Sequence, residues 1–243
     1  MFKKRMIIAF FLMISIIITI PQAAFSFTID DTGSSAYWGG SDPRGYHDVI
    51  QDSNPSHSFA LDKMDITVNG SLMTVSITGN YFSAGITYNN NYFTPGDLYI
   101  NPTGWITTGT GPNYGNDTFN SNEGWSLVVT SQGVYHLDYS QIQFTEAPSG
   151  WYYRANQAWR GGATGDMLSE VDYSINDTGV SYTFDTAGLY LGNKFGLHWT
   201  MRCGNDVIEG LDPIPPVPEP ATLLLLGLGL LGLGVASRKK FKK

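Results

Sequence analysis

Met64-Asp65-Ile66-Thr67-Val68-Asn69-Gly70-Ser71-Leu72-Met73-Thr74-Val75-Ser76-Ile77 is the stretch that decides the fold class. From Met64 to Val68 apolar and polar residues alternate, the pattern of a strand with one buried face. Asn69-Gly70 is a strong hairpin turn signal, and Leu72–Ile77 is a second β-branched run. Together they predict two antiparallel strands joined by a tight turn.

The same grammar recurs outward from this hairpin. Phe25–Ile29 and Asp97–Ile100 read as strands, and Trp125–Thr130 with Val134–Tyr139 reads as a second hairpin around Ser131-Gln132-Gly133. Gln141–Phe144, Trp151–Tyr153, Tyr173–Ile175, Ser181–Phe184 and Phe195–Thr200 add further short strands. Asp30–Asp62 is rich in Gly, Ser, Asp and Pro, so it reads as long connections with short strands around Tyr37-Trp38 and Val49-Ile50. Gly79–Pro95 reads as an irregular loop and Arg154–Trp159 as a turn or brief helix. Crossover helices are missing from this pattern. The expectation is an all-β fold, a β-sandwich or jelly-roll-like domain, flanked by an N-terminal signal peptide and a C-terminal hydrophobic helix.

Charge is concentrated at the ends. Of 243 residues, 14 are basic and 21 acidic, yet only six of the basic ones lie between Phe25 and Pro220 against all 21 acidic ones, a net charge of −15. Such a surface repels phosphates, so nucleic acid is excluded as a partner. Cys203 is alone, so no intrachain disulfide forms, and it reads as a small core residue.

Met1–Arg5 is positive, Met6–Ile20 is apolar, Pro21 breaks the run, and small residues follow at Ala23, Ala24 and Ser26. That order is a secretory leader, residues 1–24, with cleavage by signal peptidase after Ala24 or, as the alternative, after Ser26. The exported β-rich domain then spans 25–210. Leu211–Pro220 is a Pro-rich extended spacer, Ala221–Ala236 an uninterrupted apolar stretch, and 237–243 a basic cytoplasmic tail. As a helix the 16 apolar residues reach about 24 Å, short of a hydrocarbon core of about 30 Å, a gap that local bilayer thinning or inclusion of flanking residues closes at modest cost.

Val217-Pro218-Glu219-Pro220, the apolar Ala221–Ala236 and the basic Arg238-Lys239-Lys240 together resemble the PEP-CTERM sorting tail of Gram-negative bacteria. The resemblance implies recognition by an exosortase, transient insertion of the hydrophobic tail in the inner membrane during sorting, cleavage near Pro218-Glu219-Pro220, and delivery to the envelope surface or extracellular polysaccharide matrix. A weaker likeness to surface proteins of the same kind lies in Tyr37-Trp38-Gly39-Gly40, the Met64–Ile77 hairpin and Phe195–Asp206. It assigns no activity.

The residues carry no recognisable reaction. His47, His57, His136 and His198 are widely spaced, with no HExxH, no paired cysteines, no GxSxG elbow and no phosphate loop. The expectation is a non-enzymatic surface or matrix protein without a cofactor. Calcium is the candidate ion, through hard oxygen ligands at Asp30, Asp31, Asn205 and Asp206, although turn formation explains the same residues. Carbohydrate binding is the alternative function, with surface polysaccharide as partner. Trp151, Tyr153 and Trp159 would offer flat apolar faces and Asn156 a directional hydrogen bond. Aromatic residues of a β domain are more often core.

Overall fold

The Asn69-Gly70 turn forms as expected. Gly70 adopts φ 65°, and β2 (Lys63–Asn69) pairs with β3 (Leu72–Thr78) from Lys63↔Thr78 to Asn69↔Leu72. The alternation predicted from sequence is the alternation found: Met64, Ile66 and Val68 are buried, as are Met73, Val75 and Ile77, while the residues between them face outward.

The computed structural model describes residues 24–30, 58–88, 90–104, 118–145, 156–192 and 194–213. The short strands expected around Tyr37-Trp38, Val49-Ile50 and Trp151–Tyr153 lie outside them, as do the leader before Ala24, the sorting tail and its hydrophobic stretch. The remaining strands are β1 (Ala24–Asp30), β4 (Thr87–Tyr88), β5 (Asn91–Tyr92), β6 (Leu98–Asn101), β7 (Leu127–Val129), β8 (Gly133–Phe144), β9 (Ala158–Ile175), β10 (Gly179–Asp185), β11 (Lys194–Thr200) and β12 (Val207–Pro213).

The all-β expectation holds. One ten-stranded antiparallel sheet runs in the order β1-β2-β3-β10-β9-β8-β7-β6-β11-β12 and curls nearly into a barrel, while β4 and β5 form a separate ribbon. At the seam β1 lies against β12: a Cβ added to Gly210 would fall 2.4 Å from Ile29 Cδ1, so glycine is what lets the two edge strands approach.

Several strands extend beyond their sequence signals. Gln141–Phe144 is the end of the twelve-residue β8, and Tyr173–Ile175 is the end of the eighteen-residue β9. Arg154–Trp159, expected as a turn or helix, runs into β9 at Ala158. Gly161, Gly162 and Gly165, all at positive φ, bend β9 where its register with β8 shifts. Residues 158–170 of β9 can therefore pair with β8 and residues 171–175 with β10. β12 carries pairing on to Pro213, three residues into the stretch read as spacer; proline is tolerated there because β12 is an edge strand.

The barrel interior is the main core. Trp199, Tyr182, Tyr81, Phe184 and Phe195 are fully buried in it, each worth about 1.5–3 kcal/mol of burial. The polar tips inside are satisfied: Tyr182 Oη donates to Gly96 O at 2.8 Å, and Trp199 Nε1 donates to the same carbonyl at 3.2 Å and to Tyr182 Oη at 3.1 Å.

Outside, the two halves of the sheet differ. Over β6, β7 and β11 the segment 118–126 lays down a second, smaller core of Tyr99, Phe119, Trp125, Val128 and Ala158. Over β1, β2, β3, β10 and β9 the register instead aligns two rows of short polar side chains. One row is Thr28, Asp65, Ser76, Ser181, Ser174; the other is Ser26, Thr67, Thr74, Thr183, Asp172. Cross-strand hydroxyl pairs knit them, Thr74 with Thr183 at 2.9 Å and Ser76 with Ser181 at 3.1 Å.

Candidate functional site

The second core contains the one histidine–carboxylate pair among the described residues. Register puts Val128, Tyr99, His198 and Glu209 side by side on the outer face of β7, β6, β11 and β12. Phe119 packs at 4.9 Å from the His198 ring, and Trp125 stacks on Phe119 at 5.3 Å. His198 and Glu209 are 0% and 3% exposed. Glu123 holds the lid in place: its Oε2 accepts from Trp125 Nε1 at 2.7 Å and from the Asn120 backbone N–H at 3.1 Å, a capping box on the 3₁₀ turn Ser121–Glu123.

Proton placement follows from the partners. His198 Nε2 lies 2.8 Å from the Ala158 carbonyl, which only accepts, so Nε2 carries a hydrogen. His198 Nδ1 contacts Glu209 Oε1, so a second proton lies between the two atoms. Both ring nitrogens are thereby occupied. A general base needs a nitrogen within reach of a substrate proton, and here the ring sits beneath Phe119 and Trp125. The pair ties β11 to β12 and to the start of β9.

A second ionisable group sits at the start of β6. Asp97 Oδ2 accepts from the Gly161 N–H at 2.9 Å, and its own N–H donates to Trp159 O at 2.8 Å. Desolvation raises its carboxyl to about 6, against the opposing pull of the Gly161 hydrogen bond and of Arg160. The ordinary aspartate value is about 3.9, so between these values the folded chain binds more protons than the unfolded one, and stability falls as pH rises through that window. Asp97→Asn keeps an acceptor for Gly161 and removes the buried charge. It is expected to gain on the order of 2 kcal/mol at pH above about 7 and nothing below about pH 4, read as urea midpoints at the two pH values.

Of the residues singled out for carbohydrate, Trp151 and Tyr153 lie outside the described residues. Asn156 is exposed, with φ 63°, and its backbone joins Phe119 and Thr145. Trp159 is 8% exposed, with the Arg202 guanidinium 5.9 Å from its ring centroid. Of the calcium candidates, Asp31 is outside the described residues and Asp30 is placed only as the last residue of β1. Asn205 and Asp206 are buried; Asp206 Oδ2 accepts the Leu61 N–H at 2.6 Å, and its carbonyl accepts the Thr200 hydroxyl at 2.6 Å. This anchors the turn before β12 to the chain entering β2. Among the described residues, no three His, Cys, Asp or Glu side chains converge as a metal-holding group. Cys203 is buried, and burial pushes its thiol up to about 12, which makes it inert.

Among the described residues no helix is long and apolar enough to cross a membrane; Ala221–Ala236 lies outside them. No curated protein and no solved structure matches the chain. The model of the PEP-CTERM protein-sorting motif matches residues 216–240, covering Val217, Pro218, Glu219, Pro220, the apolar run and the first basic residues. The chain therefore carries a PEP-CTERM sorting domain and is an exported protein processed by an exosortase.

Proposed function

We propose that the exported body is a non-enzymatic structural protein of the cell surface or extracellular matrix of a Gram-negative bacterium. The observation that carries this reading is how the reactive residue types are used. His198, Glu209, Glu123 and Asp206 are all buried and hydrogen-bonded into the frame. Signal peptidase removes the leader after Ala24, which leaves Phe25, Phe27 and Ile29 of β1 to pack against the core. The tail then inserts transiently in the inner membrane until an exosortase removes it.

Fractionation of surface material tests the role. The protein is expected with the polysaccharide matrix, and the purified chain is expected to turn over no glycoside or ester substrate above background. Turnover abolished by replacing a single carboxylate overturns the reading.

The second reading is a lectin-like module, for which Asn156 offers an exposed amide three residues before Trp159 in the chain. A glycan array with and without calcium separates the two. Saturable binding that weakens in Trp151→Ala or Trp159→Ala supports the lectin; a full panel without binding removes it, and an effect of calcium identifies the ion.

A further inference from the structure

We infer that the open groove beside the hydroxyl rows is where the body contacts its matrix, and that its ligand is a cationic amino-sugar polymer; this rests on the matrix reading above. The groove, about 710 Å³, runs along the outer face of β9 and β10 and is lined by Leu72, Leu168, Glu170, Asp172, Thr183 and Asp185, among others. Leu72 and Leu168 are 49% and 38% exposed, large apolar side chains left in water. Among the described residues no lysine or arginine forms an ion pair with Glu170, Asp172 or Asp185.

Three features select the ligand together. Carboxylates on the rim attract a positively charged group, and the −15 body drives off anionic polymers. The leucines offer contact for the C–H face of a pyranose ring. Thr183 belongs both to the groove and to a hydroxyl row, so the groove opens onto a hydroxylated strip that crosses five strands. At about 4.8 Å per strand that strip is about 19 Å wide, enough for several consecutive sugars. Individual hydroxyl contacts contribute little in water, so affinity comes from many along a repeating chain. An amino sugar presents ammonium, hydroxyl and apolar ring face on one unit. A basic peptide presents the charge without the hydroxyls.

The test uses the full chain in detergent, with calorimetry at physiological salt. Glucosamine hexamer is the probe, and N-acetylglucosamine hexamer and hexalysine are the comparisons. Saturable binding of the glucosamine hexamer is expected, at least about tenfold tighter than either comparison. Glu170→Gln with Asp172→Asn should weaken it at least about tenfold and Thr183→Val several-fold. Asp166→Asn with Asp177→Asn, an exposed pair outside the groove lining, should leave it within about twofold. Equal losses in the two charge pairs would mean non-specific attraction and overturn the proposal. So would hexalysine binding as tightly, which makes the partner a basic peptide, or no binding of the glucosamine hexamer. Far-UV circular dichroism confirms that each variant is folded. Protein that stays in the matrix fraction without binding the hexamer removes this site and leaves the structural reading standing.

Discussion

Glu209→Met is expected to cost the barrel about 3–5 kcal/mol, a large share of the whole stability of a domain this size. The methionine is close to glutamate in length and adds no charge, so packing on β12 changes little. What changes is His198. Its ring stays between Tyr99, Phe119 and Trp125 with Nε2 bound to the Ala158 carbonyl, and Nδ1 loses its carboxylate inside a site closed to water. Removing one member of a buried pair leaves the other uncompensated, and that penalty is the source of the loss. The double variant His198→Leu/Glu209→Met removes both, and it should recover at least about 2 kcal/mol of the deficit. Urea unfolding followed by tryptophan fluorescence reads these two variants and the single variant His198→Leu. Additive effects of the two substitutions would contradict the coupled pair.

The sequence was legible where a local signal and the tertiary arrangement agree. Asn69-Gly70 between two alternating runs gave β2, β3 and their register, because a two-residue turn fixes the pairing of its neighbours. β9 was not legible beyond its last residues. Gly161, Gly162 and Gly165 leave that stretch without an alternating pattern, and in the barrel they are bulge positions within one strand. β12 was hidden by Pro213 and by the run of prolines after it, although an edge strand accepts proline at its end.

The buried site was less legible still. His198 looked isolated because Glu209 is eleven residues away along the chain, across a hairpin whose second strand carried no signal. Phe119 joins from a stretch between β6 and β7 to which no strand was assigned, and Trp125 from the first residue of the expected Trp125–Thr130 strand. Only the cross-strand register brings them over the histidine. The tail was the reverse case. Its order of motif, apolar run and basic end is read linearly, so no tertiary contact was needed to find it.

That tail also carries the largest expected effect on the fate of the protein. Replacing Pro218, Glu219 and Pro220 together by alanine removes the element that distinguishes the sorting tail from a plain hydrophobic run. The variant is expected to keep Ala221–Ala236 and accumulate with the inner membrane, because nothing then directs the exosortase to the spacer. β12 ends at Pro213, ahead of the substituted positions, so the barrel should fold as before. Retention with an unchanged unfolding profile would assign the effect to processing.

Mass spectrometry of the native protein from surface material tests the central claim most directly. The account predicts a chain that begins at Phe25 and ends near Pro218-Glu219-Pro220, with no peptide from Leu223–Leu233. Recovery of an intact Leu223–Leu233 segment in that mature material would contradict it.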